Sequence, residues 1–358
     1  METVRSRSFA RAGFLGNPSD GYFGKTISFT FRNFCVDLKL TESARLRFVP
    51  GEVDDATFES PEKLVRDLRL YGYYGGIRIL KAMAKLFFEY CMERGIEIPK
   101  RNFTAEYKIN IPRLVGPSGS SAICSAMLKA LERFYEVKVP EEEAPTLVME
   151  AERDELGIAC GLQDRVAQMY NGVVYMDFDR ALVESTGHGR YERLYPSSLN
   201  SHPSSLIPHL YVAYDPNRAE ESGKAHKKVK KLFQENNADV LAAMKEFADI
   251  ARQGREALVK GDLAALPALV NANFDLRDRI FNVAEENRRM VMTARQCGAS
   301  AKFAGSGGAI VGTFEDEAQF ARLKADLAAI GCTTFVPAVA TTEDESLDFA
   351  AEGTWRNS

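Results

Sequence analysis

Three stretches of this 358-residue sequence gather small, hydroxyl-bearing or acidic residues at spacings suited to chemistry. The first is Pro112-Arg113-Leu114-Val115-Gly116-Pro117-Ser118-Gly119-Ser120-Ser121-Ala122. It lies directly ahead of a run in which Ile123, Met127, Ala130, Leu131 and Phe134 recur at helical spacing. Small residues let the backbone approach a ligand, and the amides of a helix's first turn have no intrahelical acceptor. With the helix dipole they favour a phosphate, and the serine hydroxyls can reach phosphate oxygens or a bound Mg²⁺. A serine-capped helix after a flexible loop has the same composition.

The second stretch is Lys302-Phe303-Ala304-Gly305-Ser306-Gly307-Gly308-Ala309, set between two apolar, strand-like runs. It reads as another phosphate-facing turn or as a plain hairpin turn. The third holds two carboxylates, in Glu152-Arg153-Asp154-Glu155-Leu156-Gly157-Ile158-Ala159-Cys160-Gly161-Leu162-Gln163-Asp164. Asp164 falls in an apolar, glycine-punctuated segment, where a carboxylate either serves a reaction or caps the helix that begins near Arg165. Gly21-Tyr22-Phe23-Gly24-Lys25-Thr26 ends like a Walker A loop, but the position that needs the first glycine is Ser19 and strand-like sequence follows, so that reading fails.

The elements that must position these groups follow from periodicity and turn residues. Ser8 to Leu15 and Thr26 to Phe34 read as strands around the loop Gly16-Asn17-Pro18-Ser19-Asp20-Gly21. Pro61 to Arg94 reads as helix, Phe103 to Ile111 as strand, Thr146 to Leu156 as helix and Gly172 to Phe178 as strand. Thr186 to Pro208 is the least regular stretch, and a domain boundary is expected there. Leu210 to Tyr214 is a strand, and Lys224 to Thr293 is helical with a break near Gly261. The remainder runs strand, glycine-rich loop, strand, helix (Glu317 to Ile330), strand, and the acidic tail beyond Thr342 is expected to be loosely held.

Composition excludes several functions. A net charge of -4 provides no field for holding nucleic acid nonspecifically, and the basic run Lys224 to Lys231 reads as a solvated helix face. Four histidines and six cysteines form no CxxC, HExxH or HxH pattern, so a His/Cys metal site is not expected. The longest apolar candidate, Ile77 to Cys91, is interrupted by Arg78, Lys81, Lys85 and Glu89, short of the roughly 20 residues that span a bilayer. With no signal-peptide pattern, the chain reads as cytoplasmic, with no membrane partner.

The three chemical stretches, in this order, resemble the GHMP family of small-molecule kinases. Pro112 to Ala122 is similar to its Pro-x-x-x-Gly-Leu-x-Ser-Ser-Ala ATP loop, with Pro117 in place of Leu. Gly305 to Gly308 resembles its C-terminal glycine motif, and Arg11 to Asp20 its N-terminal motif. The spacing Glu-x4-Gly-x3-Gly-x2-Asp resembles that of galactokinases, although the Glu-His pair of their N-terminal motif is replaced by Asn17-Pro18. Within the family, Ala10 to Thr26, Tyr175-Met176-Asp177-Phe178 and Ser222-Gly223-Lys224-Ala225-His226 are most similar to the glucuronokinase branch.

The resemblance implies an α+β fold of two domains, an S5-like one at 1–205 and a ferredoxin-like α/β sandwich at 206–358, with the active site in the cleft between them. It implies ATP and Mg²⁺ as cofactors, and phosphoryl transfer to a small sugar, glucuronate before galactose, arabinose, heptose or mevalonate-like alcohols. A catalytically idle, ligand-binding relative is the alternative of another class. By the same likeness Asp164 is the catalytic aspartate, Arg11 the cation beside the reacting hydroxyl, and Ser121 and Glu152 the metal ligands. ATP would meet Pro112, Gly116, Ser118, Gly119, Ser120, Ser121, Ala122, Gly305, Ser306 and Gly307. The sugar would meet Asn17, Asp20, Asp164 and Tyr175, with Lys25, Arg190 and Arg193 as candidate cations for a substrate carboxylate. A monomer or homodimer is expected.

Overall fold

A computed structural model describes residues 2–51, 54, 60–61, 75–112, 118–195, 206–216, 223–281 and 283–346. The N-terminal half is built on one long strand. β1 (Thr3–Leu15) pairs antiparallel with β2 (Lys25–Ser43) along nearly its whole length. The other edge of β2 is shared, Lys25 to Phe29 pairing with β5 (Val173–Asp177) and Val36 to Ser43 with β4 (Asn102–Ile109). β3 (Arg47–Phe48) and β6 (Arg190–Leu194) close the two ends, giving six strands. β2 runs well past the expected Phe34: exposed Arg32 and Asn33, which interrupt its apolar pattern, mark the point where its edge changes partners.

Helices α1 (Gly76–Glu93), α2 (Gly119–Tyr135), α3 (Ala144–Arg153) and α4 (Gln163–Tyr170) cover one face. α1 begins at Gly76, after the extended Gly75; Pro61 is itself helical, and 62–74 lie outside the described residues. α3 begins two residues before Thr146, since proline suits a helix's first turn and Pro145 occupies it. The supposedly irregular stretch after Thr186 contains β6, whose Leu194 pairs with Val173. The expected boundary at 205/206 borders 196–205, outside the described residues.

A second sheet has the order β10-β7-β9-β8, formed by β7 (Leu210–Tyr214), β8 (Lys302–Phe303), β9 (Ala309–Thr313) and β10 (Thr333–Phe335). Against it pack α8 (Leu266–Phe281), α9 (Glu285–Gln296) and α10 (Glu317–Ala329), while α6 (Gly223–Gln234) and α7 (Ala238–Lys260) pack on α8; the short α5 (Arg180–Thr186) belongs to the first half. On α6, Lys227, Lys228, Lys230 and Lys231 face solvent around buried Val229, as a solvated basic face should. No helix among the described residues is long and apolar enough to cross a membrane.

The two halves interlock. α7 lies on β2, where Gly254 lets the helix approach so closely that an added Cβ would stand 2.2 Å from Leu15 Cδ1. After β10 the chain returns to the first sheet: Arg32 N–H donates to Ala338 O (2.8 Å) and Ala340 N–H to Thr30 O (2.8 Å), between the β5 and β4 sections of β2. Of the tail expected to be loose, residues 343–346 are docked, and 347–358 lie outside the described residues. Glu345 pairs with Lys129 and Arg133 and accepts from Asn171, while Asp344 pairs with Arg32. Lys129 is 6% exposed and also donates to Gln168 O. Glu345→Ala should therefore lower unfolding free energy by about 1–3 kcal/mol, read from urea melts, because a buried ammonium loses its countercharge.

Candidate active site

The site forms where β1, α2 and α4 meet the turn between β8 and β9. Arg11, on β1 and 6% exposed, donates from Nε to Asp164 Oδ1 at 2.5 Å and from Nη1 to Ala304 O at 3.0 Å. Asp164 lies within the first turn of α4, whose cap is Leu162, so it does not cap that helix. Its second oxygen accepts from Ser118 Oγ at 2.6 Å, and Arg165 stands 3.5 Å away. Burial alone would raise the Asp164 carboxyl, but the charge and hydrogen bond of Arg11, then Arg165 and Ser118, outweigh it and hold it below the ordinary value.

Ser118 adopts a left-handed backbone (φ 63°) and makes no side-chain cap. Its hydroxyl serves Asp164, while its carbonyl accepts from Ser121 Oγ, Ala122 N–H and Gln168 Nε2. The serine-capped-helix reading therefore fails at Ser118. Pro112 precedes the loop, Gly119 and Ser120 open α2, and Ser121 and Ala122 are fully buried; Gly116 lies outside the described residues.

The N-terminal loop enters from the side. Asp20, half-buried, accepts the backbone N–H of Gln163, and a Cβ on Gly161 would stand 2.5 Å from Asp20 Oδ2, which explains the glycine. Burial, then the neighbouring Asp164 charge, pushes the Asp20 carboxyl up to about 6. Asn17 is 3% exposed and follows Gly16, whose N–H donates to Asn273 Oδ1 on α8. Asn273 Nδ2 returns a bond to Asn17 O, so α8 grips the loop from both ends.

The glycine turn is held by cations, through every carbonyl from Phe303 to Ser306. Lys302 Nζ takes Phe303 O, Arg11 takes Ala304 O, and Arg277 takes Gly305 O (2.8 Å) and Ser306 O (2.9 Å). Gly13 N–H also reaches Ala304 O at 2.7 Å, joining β1 to the turn. Gly305, Ser306 and Gly307 thus stand beside Arg11 and Asp164, more tightly braced than a free hairpin tip.

Glu152 is fully buried on α3. Its Oε2 accepts Arg165 Nε at 2.7 Å and also Nη2, while its Oε1 is buried with no hydrogen-bond partner. Tyr175 is not brought to the site. It sits on the other face of the first sheet, in the core against α7, with the Arg255 guanidinium 5.5 Å from its ring. Of the candidate cations, Lys25 pairs with Asp177, Arg193 pairs with Glu141 and lies over Tyr170, and Arg190 is exposed on β6. Lys302, Arg277, Arg165 and Asn273 were not singled out from the sequence. Only Lys302 carried a signal, a lone lysine opening the glycine stretch.

The sequence pattern of the GHMP kinases N terminal domain matches residues 78–172, and that of the GHMP kinases C terminal matches 255–331. Glucuronokinase 1 of Arabidopsis thaliana is 44% identical over 314 residues, covering 86% of this chain and 84% of the relative. Probable glucuronokinase 2 of the same plant is 46% identical over 312 residues, covering 85% and 82%. Among solved structures, a Lactococcus lactis galactokinase complexed with galactose superposes with TM-score 0.72 at 16% identity, covering 95% of this chain and 94% of that one. A two-domain α+β fold, a shared order of motifs and extensive identity to these kinases lead to one assignment: the chain belongs to the GHMP kinase family.

Proposed function

We propose that this enzyme is an ATP-dependent sugar kinase that transfers the γ-phosphate to the anomeric hydroxyl of glucuronate, giving glucuronate 1-phosphate. The observation that carries the reading is Asp164, an ionised carboxylate held by Arg11 and Ser118 at the meeting of α2, α4 and the glycine turn. The kinase relatives named above support a sugar acid as acceptor.

Phosphoryl transfer asks the protein chiefly for positioning and charge neutralisation. The start of α2 and the glycine turn suit the phosphates. A cavity of about 330 Å³ lined by Val49, Pro50, Gly51, Tyr107 and Ile109, beside the strand that leads into Pro112, suits the nucleoside. The substrate hydroxyl would take the place of Ser118 Oγ as donor to Asp164, which orients it and accepts its proton as the bond to phosphorus forms. A hemiacetal hydroxyl is more acidic than an ordinary alcohol, so a carboxylate kept ionised by Arg11 suffices. Asn17 and Asp20 flank this point from the loop.

The residues present also fit Mg²⁺. Glu152 Oε1, buried and unpartnered, is an acceptor without a donor, and Ser121 lies on the neighbouring helix. Those two side chains would hold the ion, which when bound offsets phosphate charge. Among the described residues no group of three acidic, His or Cys ligands gathers, so further ligands must come from the nucleotide and water. The proposal places the cleft between residues 1–205 and 206–358.

Asp164→Asn should cut turnover by roughly 10²–10⁴-fold while ATP still shifts the melting temperature. Near-normal ADP release in that variant would remove the assignment. In a panel of glucuronate, galactose, arabinose, mannose, heptoses and mevalonate, ADP release should be greatest with glucuronate, and another substrate at the head would correct the acceptor. Asp20 offers a check by pH. Its folded-state value lies above the ordinary 3.8, so its contribution to stability is full below that pH and lost as pH rises through about 6. Asp20→Asn should accordingly melt a few degrees above the native protein near about pH 8, with the gap narrowing below about pH 6 and closing only as pH falls toward the ordinary 3.8. A gap independent of pH would contradict the assigned shift.

A further inference from the structure

Lys302, at the head of the glycine turn, donates only to neutral oxygens among the described residues. It is 1% exposed, and its ammonium donates to Gly13 O (2.7 Å), Asn17 Oδ1 (2.5 Å) and Phe303 O (2.8 Å). No carboxylate pairs with it among the described residues. Burial, together with the charges of Arg277 and Arg11, drives the Lys302 value well down, but the three oxygens around it, one more than a neutral amine has hydrogens to give, hold the ammonium form. A buried ammonium with no countercharge is costly, and the fold keeps it beside the loop that contacts substrate in the proposed activity.

Its chemical effect falls on Asn17. The orientation of a buried amide is usually ambiguous, because its oxygen and nitrogen ends look alike. Here it is not: an ammonium has three donors and no acceptor, so only the Asn17 oxygen can face it. The NH₂ end must then point away from Lys302, and it has no hydrogen-bond partner among the described residues. Gly13 lets Asn17, Gln163 and Ala304 pack this closely together. A Cβ there would stand 3.1 Å from Asn17 Cγ, 2.7 Å from Gln163 Nε2 and 3.1 Å from Ala304 O.

We propose that Lys302 is a specificity-setting positioning residue: by holding Asn17 Oδ1 it commits the Asn17 amide to present a donor edge, backed by positive charge, to the carboxylate of a sugar acid. This rests on the sugar-kinase reading above and deepens it. A carboxylate only accepts hydrogen bonds, whereas the hydroxymethyl of a neutral hexose both donates and accepts and brings no charge. The loop therefore favours the acid, through a charge the substrate never touches. Lys25 and Arg193, engaged by Asp177 and Glu141, are not needed for it.

The test compares glucuronate with glucose as acceptors for the full chain, using ADP release, in the native protein, Lys302→Met and Asn17→Asp. Lys302→Met should reduce the glucuronate-to-glucose ratio of kcat/KM by roughly tenfold or more, with the loss in KM for glucuronate rather than in KM for ATP. Asn17→Asp keeps an oxygen on Lys302 but turns a second, anionic oxygen toward the substrate. Its ratio should fall by about a hundredfold, and since the new carboxylate pairs with Lys302 it tests the idea even if Lys302→Met does not fold. Ratios within about threefold of native in the folded variants, or a loss confined to KM for ATP, overturn the inference. If the native protein turns over neither sugar, the kinase assignment has failed separately, and calorimetric titration with glucuronate and glucose decides. Preferential binding of glucuronate that Asn17→Asp abolishes upholds the role of Lys302. Equal binding, or a preference unchanged in Asn17→Asp, overturns it.

Discussion

The contact of Arg11 with Asp164 joins everything the site needs. One guanidinium on β1 holds the carboxylate of α4 and the Ala304 carbonyl of the glycine turn. Ser118, at the head of α2, holds the other oxygen of the same carboxylate. Three elements of the first half and one turn of the second are thus fixed to a single charged group. Such a carboxylate survives burial only because cations surround it, which is also the condition that keeps it ionised.

Much of this was legible in the sequence, for identifiable reasons. β7 and the alternation around the glycine turn were plain because apolar runs bounded by turn residues specify strands locally. The order of Arg11, Ser121, Glu152 and Asp164 pointed to one family's chemistry. What alternation cannot supply is which face of a strand meets the site. Tyr175 was expected in the pocket, but its register opposite Ile27 turns it to the face covered by α7. Partner choice was equally hidden: Lys25 and Arg193 looked available, yet Asp177 and Glu141, remote in sequence, occupy them. β6 escaped notice because its charged residues lack alternation and it is a strand only by pairing with β5.

Electrostatically the cleft is lopsided. Arg11, Arg277 and Lys302 converge on consecutive carbonyls of one turn, against Asp164 and a reluctantly ionised Asp20. Backbone carbonyls soften that concentration of charge without cancelling it. Glu152 and Arg165 behave differently, as a sealed pair with one oxygen left unpartnered.

The return of residues 338–340 to the edge of β2 has a consequence for biosynthesis. The Thr30 carbonyl and the Arg32 N–H are met by Ala340 and Ala338, far along the chain from them. The gap between the β5 and β4 sections of the first sheet thus stays open until residues 338–340 have been made and folded back. Completion of the first sheet waits on a segment that follows the second, and a chain cut short of it would expose an unpaired strand edge to its neighbours.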